Sequence, residues 1–269
     1  MKIPFRIGTS SYIIPDDILP NARFLAGKVQ DIELVLFEVD DGQNNLPDPA
    51  TVRELRQIGL DHNLTYTVHL PLDLRLGSDG NEQDISLLKA RKVIDCTRAL
   101  EPWAYVLHLD GRAVKENASQ IELAHWNVQA GRALELTADW AGGLDRLAVE
   151  NLEGYPLDFW EEILGRSAAG RCVDIGHLWR DGHDPIPYLE RAFEKTRVLH
   201  IHGITQRDHQ SLAHVPVDEL TRVLKWLVEQ PYTGVMTVEI FGEDDFVSSM
   251  AAIQAVLRGI DQEAKWESD

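Results

Sequence analysis

Short apolar runs alternate with longer amphipathic stretches along the whole chain. The runs are "FRIGTS" (5–10), "IELVLFEV" (32–39), "TYTVHL" (65–70), "AYVLHL" (104–109), "RLAVEN" (146–151), "GRCVDI" (170–175), "RVLHIH" (197–202) and "VMTVEI" (235–240). They are β-branched, apolar and nearly continuous, as strands buried on both faces should be. Between them the period changes to that of a helix. "PDPATVRELRQIGLDHN" sets Val52, Leu55 and Ile58 three apart behind a Pro-Asp start. "SLLKARKVIDCTRALE", "HWNVQAGRALELTADWA", "LDFWEEILGRS", "PIPYLERAFEK", "VDELTRVLKWLVEQ" and "DDFVSSMAAIQAVLRGI" read the same way. "DDILPNARFLAGKVQ" is the weakest, because Pro20 interrupts it. Eight strands alternating with helices predict a (β/α)8 barrel, a single domain over residues 1–269. A doubly wound sheet needs a phosphate-binding glycine loop after its first strand, and "GTSSY" is not one.

Barrels of this kind carry their chemistry at the C-terminal ends of the strands. Strand two ends in Glu38 and Asp40, strand three in His69, and strand four in His108 with Asp110 behind it. Strand five ends in Glu150 and Asn151, and strand six in Asp174 with His177 just beyond. Strand seven carries His200 and His202, and strand eight ends in Glu239. Six consecutive strands, three to eight, thus each deliver a His, Asp or Glu to one rim. Three histidines and three carboxylates at one mouth would repel and desolvate one another without a cation. Imidazole and carboxylate together suit zinc, manganese or iron. His200 and His202 are two apart and face the same side, so spacing does not choose between them. His200 lies at the depth of Asp174 and Glu239 and is the expected ligand; His202 is expected behind the ion or against substrate. Asp208 and His209, in the loop "TQRDHQSL", can join His177 in a further site. Arg75, Arg180 and Arg207 lie in rim loops where they can clamp an anion, and Trp179 can line the mouth. The remaining histidines and most tryptophans, among them Trp126 and Trp160, read as surface or packing residues.

Charge narrows the substrate. The net charge is −18, from 44 acidic and 26 basic residues, with no Lys/Arg run. Nucleic-acid binding draws much of its affinity from neutralising phosphates, so this chain is a poor candidate for gripping DNA. A small anionic substrate held through metal ions is not excluded. No window approaches the length of an apolar membrane span, and "MKIPFRIGTSSY" lacks the apolar region of a signal peptide. Cys96 and Cys172 form no disulfide framework. The default expectation is a cytoplasmic protein with no membrane partner.

The motifs "TVHLP", "VLHLDG", "VENLEG", "CVDIGH", "LHIHG" and "VEIF", in that order, resemble the xylose-isomerase-like TIM barrel superfamily, including its endonuclease IV (AP endonuclease family 2) type. By position, the endonuclease IV type implies one metal on His69, His108 and Glu150. Glu150 would bridge to a second metal held with Asp174, His200 and Glu239, and His177 with the loop Asp and His would hold a third. The family usually has Asp-x-His in that loop, whereas Asp208 and His209 are adjacent here. Sugar isomerases and epimerases of the superfamily share only the set Glu150, Asp174, His200 and Glu239. The presence of His69 and His108 favours the hydrolytic branch with two or more zinc or manganese ions. Compact length, "HIHG" and "RDHQSL" most resemble the cobamide-remodelling phosphodiesterases, which cleave the nucleotide loop of salvaged corrinoids. That resemblance implies a corrinoid substrate, with Glu150, Glu239 and His108 at the chemistry and His202, Arg207 and Trp179 against substrate. A metal-dependent sugar epimerase or isomerase is the alternative, and a barrel that only binds is a third reading.

Overall fold

The computed structural model describes residues 3–39, 43–77 and 80–266. Eight parallel strands close into a barrel in chain order: β1 (Arg6–Ser10), β2 (Asp31–Val35), β3 (Thr65–His69), β4 (Tyr105–Leu107), β5 (Leu147–Glu150), β6 (Gly170–Asp174), β7 (Thr196–Ile201) and β8 (Val235–Val238). β8 closes on β1 through the pairs Arg6 with Val235 to Thr9 with Val238. A register shift between Arg171 and Cys172 marks the β6–β7 seam.

Seven of the expected strands differ from the observed ones by at most two residues at either end. The exception is strand two. It stops at Val35, and Glu38 instead makes an isolated antiparallel bridge to Asn44. The apolar residues that continue the run do not extend the barrel: Phe37 and Val39 are exposed. Glu38 is therefore not on the rim in the expected sense; its carboxylate pairs with Lys92 at 2.7 Å. Asp40 lies outside the described residues.

The helices form for local reasons. α1 (Ile18–Leu25) contains Pro20 after all, because Pro20 sits in its first turn, where its missing N–H has no intrahelical partner to lose. α2 (Pro49–His62) starts at Asp48, whose carboxylate accepts from the Thr51 N–H at 2.7 Å, and ends at Asn63 in the left-handed region. α3 (Ile85–Thr97) is capped by Asp84 in the same manner. α4 (Gln120–Ala141) opens with a reciprocal Ser119–Glu122 capping box, earlier than the apolar period alone indicates. α5 (Glu161–Arg166), α6 (Ile175–Arg180), α7 (Pro185–Ala192), α8 (Val217–Glu229) and α9 (Glu243–Trp266) complete the ring. The strands' outward residues and the helices' apolar faces form the main core. Trp126, Phe159 and Trp160 pack together in it, with ring centres 4.6 to 6.0 Å apart.

Inside the barrel a small layer of Ala104, Val106, Ala148, Cys172 and Val198 fills the base. Side chains two apart on a strand share a face. Val106 therefore underlies His108, Ala148 underlies Glu150, Cys172 underlies Asp174, and Val198 underlies His200. Small residues below leave the polar residues above standing in the axis of the barrel.

Candidate metal centre

β5 ends in Glu150, which is buried, and both of its oxygens are engaged. Oε2 lies 3.3 Å from His69 Nε2 and 3.2 Å from His108 Nε2. Oε1 lies 3.4 Å from His200 Nδ1 and 3.7 Å from His177 Nδ1. One carboxylate thus joins two groups of ligand atoms: His69, His108 and Glu150 on one side, and Glu150, Asp174, His200 and Glu239 on the other. His200 Nδ1 is 3.0 Å from Glu239 Oε2 and 4.0 Å from Asp174 Oδ2.

The neighbouring residues hold these groups in place. Asn151 explains why β5 ends in Glu-Asn. Its amide donates to the Asp174 carbonyl at 3.0 Å, and its oxygen accepts from the Asp174 N–H at 2.9 Å. The Asn151 carbonyl lies 3.0 Å from His177 Nδ1. Asp174 caps α6 by accepting from the His177 N–H at 2.7 Å. Asp73 Oδ1 lies 3.0 Å from His108 Nδ1, and the Leu70 carbonyl lies 2.9 Å from His69 Nδ1. Each ring thereby turns its Nε2 toward Glu150.

Burial alone would raise the Glu150 carboxyl, but the His200 and His108 rings hold it well below the usual carboxylate range. Glu239 is lowered in the same way by His200 and His209, and Asp174 by His177 and His202. Burial would push the His108 ring down; Glu150 and Asp73 outweigh it and raise the ring to about 10. Opposite charges win over desolvation throughout the cluster.

Four buried atoms here lack a hydrogen-bond partner: Asp174 Oδ2, His200 Nδ1, His202 Nε2 and Glu239 Oε2. Buried polar atoms in native proteins are nearly always satisfied, so such a convergence calls for a cation. Imidazole nitrogens and carboxylate oxygens match the preferences of zinc and manganese. The residues fit a divalent ion.

In the loop after β7, Asp208 and His209 both approach His177, but in two different groups of ligand atoms. His177 groups with His202 and His209, and separately with Glu153 and Asp208. Asp208 is shared: its Oδ1 lies 3.4 Å from His209 Nδ1, while Arg180 Nη1 is 2.6 Å from its Oδ2; the same guanidinium holds Glu153 at 2.6 Å. His209 has φ 52°, a conformation unusual outside glycine, and its Nε2 lies 3.4 Å from Glu239 Oε2. His202 is fully buried; its Nε2 is 3.4 Å from Asp174 Oδ1, and its Nδ1 accepts from the His209 N–H at 3.1 Å.

The rim arginines divide. Arg75 is paired with Asp84 at 3.3 Å and Asp110 at 3.2 Å, and Arg180 is held as above, so both have carboxylate partners already. Arg207 is exposed on the β7 loop. Trp179 is packed against the core, with its indole Nε1 buried and unpartnered. Sequence reasoning missed three residues. Asp73 orients His108, Glu33 lies 2.9 Å from His200 Nε2, and Gly176 lets His202 pass.

A closed parallel barrel with a buried His/carboxylate cluster at the strand ends defines the class of the protein. A family described as xylose isomerase-like TIM barrel matches residues 28–266, and the chain belongs to that family. No curated protein matches it by sequence. Among the solved structures that resemble it, several align over nearly their full length, three of them as follows. A D-tagatose 3-epimerase-like protein is 18% identical with TM-score 0.72, covering 97% of this chain and 100% of its own. Endonuclease IV from Thermus thermophilus is 16% identical with TM-score 0.70, covering 94% and 99%. A D-allulose 3-epimerase from Methylomonas sp. is 17% identical with TM-score 0.62, covering 96% and 98%. At these identities the likeness establishes the fold.

Proposed function

We propose that the protein is a metal-dependent phosphodiesterase acting on a small molecule, with the nucleotide loop of a cobamide as substrate. The observation that carries the hydrolytic reading is the double engagement of Glu150. Its Oε2 meets His69 and His108, and its Oε1 meets His200. A sugar epimerase has use for the set Glu150, Asp174, His200 and Glu239, but no evident use for His69 and His108 as ligands. The cobamide rests on the resemblance of "HIHG" and "RDHQSL", and the net charge of −18 weighs against a nucleic acid.

His69, His108, Glu150, Asp174, His200 and Glu239 would hold the divalent metal, which when bound would supply Lewis acidity toward the phosphate oxygens and lower the pKa of water. The chain's own residues do the rest. Glu150 fixes the spacing of the two ligand groups. Asp73 fixes the His108 ring, and Asn151 ties β5 to β6 so that Glu150 and Asp174 keep their relative position. Arg207 offers an exposed positive charge at the rim. Hydrolysis adds one water across a P–O bond and gives a phosphomonoester and an alcohol, so no protein nucleophile is required.

The test is product analysis by mass spectrometry after incubating manganese- or zinc-loaded protein with an intact cobamide. Release of the nucleotide-loop fragment, absent with His108→Ala, is the expected result. No cleavage by metal-replete protein rejects the cobamide. A change at a ketose carbon instead, surviving in His69→Ala and His108→Ala, establishes the epimerase reading. That reading is favoured by the completeness of the four-residue group without the two histidines.

A further inference from the structure

Glu33 is a carboxylate in the middle of an apolar strand, and nothing in the reaction outlined above uses it. It is fully buried in β2, facing the axis of the barrel beside Ser10 and Thr67. Its Oε2 lies 2.9 Å from His200 Nε2, and its Oε1 has no partner. A carboxylate in such a place is costly unless it meets a positive or proton-donating group. The ring of His200 is the group it meets. Resting on the metal-centre reading, we propose that Glu33 is the positioning residue of His200: it takes the Nε2–H and so turns the Nδ1 lone pair toward the bound ion.

The geometry is specific. A neutral imidazole carries its proton on one nitrogen, and the hydrogen bond made there decides which nitrogen is left to bind a metal. In His200, Nε2 lies 2.9 Å from Glu33 Oε2, and the Cys172 thiol is also close to the ring. Nδ1 faces Glu239 at 3.0 Å, Glu150 at 3.4 Å and Asp174 at 4.0 Å, and it has no hydrogen-bond partner. An unprotonated nitrogen pointed at three carboxylates is repelled by them, and a cation between them removes the repulsion. His69 and His108 obey the opposite arrangement. Their Nδ1 atoms are held, by a backbone carbonyl and by Asp73, and their Nε2 atoms face Glu150. The two ligand groups therefore use opposite ring nitrogens, and a fully buried carboxylate sets the second of them.

A purely structural Glu33 and a positioning Glu33 differ in what Glu33→Leu does. Removing one partner of a buried pair costs stability whatever the pair is for, so the melting temperature of the metal-free protein separates a folding loss from a binding loss. Removing the carboxylate that orients a metal-bound histidine typically costs about 10–100-fold in metal affinity. We would measure Zn2+ affinity by isothermal titration for wild type, Glu33→Leu and Glu33→Gln, with the melting temperature of each metal-free protein. Glu33→Leu should bind Zn2+ about 10–100-fold more weakly, and Glu33→Gln, which keeps an oxygen for the same N–H, should recover most of the loss. A Zn2+ affinity for Glu33→Leu within about twofold of wild type overturns the proposal, since so small a change lies below the penalty for a lost orienting partner. Nitrogen-15 spectra of the His200 ring in zinc-loaded wild type test it without any variant. A proton on Nε2 and metal at Nδ1 support it, and the reverse assignment overturns it. A wild type that takes up no Zn2+ defeats the metal-centre reading itself, and is told apart because no substitution is involved.

Discussion

Gly176 lies in α6, two residues after Asp174. A Cβ built there would stand 2.2 Å from His202 Nε2, 2.3 Å from Cε1 and 2.5 Å from Cδ2. The His202 ring is fully buried, packs face to face with His209 at 4.4 Å, and is fixed at Nδ1 by the His209 N–H. It is not the loose end of a flexible side chain. Gly176→Ala must therefore push the ring off Asp174 or shift α6. Overpacking of this kind costs about 1–3 kcal/mol. Losing the hydrogen bond to His209 adds about 1 kcal/mol. A loss of about 2–4 kcal/mol in a chain of this size lowers the melting temperature by roughly 4–16 °C. Urea denaturation of wild type, Gly176→Ala, His202→Ala and the double variant reads the coupling directly. In the His202→Ala background the space is vacated, so the alanine should cost under about 1 kcal/mol. If Gly176→Ala costs the same in both backgrounds, the contact with His202 is not its cause and the reasoning fails.

Two more expectations follow from charge. Burial pushes the Asp31 carboxyl up to about 7, against the lowering bonds of Thr65 and Thr67. Because the folded value is raised, the associated stability is full below about pH 4 and is lost as pH rises through 7. The loss at pH 8 is about 4 kcal/mol. Asp31→Asn should remove that slope, so its stability relative to wild type should climb between pH 4 and pH 8; parallel pH profiles in urea melts would refute this. Second, the proton that Glu150 and Asp73 hold on the His108 ring competes with any cation at Glu150. Zn2+ affinity should therefore rise steadily from pH 6 to pH 8 in titration calorimetry, with protons released on binding, and a flat profile would contradict the assignment of His108 as a ligand.

Much of the barrel was legible because buried parallel strands leave continuous apolar runs, and because six of them end in a ligand-type residue. Strand two misled for a physical reason. "LFEV" is as apolar as the strand before it, yet Phe37 and Val39 leave the barrel and stand exposed. Glu33, deeper in the same run, is masked by the apolar residues on either side of it. The available signal was the alternation of Asp31 and Glu33, two carboxylates on one face of an apolar strand. The pairing of Asp208 with Arg180 was not legible, because it depends on how the loop after β7 folds over α6. Asp73 and Gly176 were missed because their roles exist only once β4 and β7 are placed beside them.

Whether the two ligand groups that share Glu150 hold one ion or two is read from metal stoichiometry, measured by plasma mass spectrometry on zinc-saturated, desalted protein. Wild type should retain at least two ions per chain, and a His69→Ala/His108→Ala variant should retain one fewer while still folded by circular dichroism. An equal number of ions in both proteins would mean that the two histidines hold no metal, and the two-ion site would be excluded.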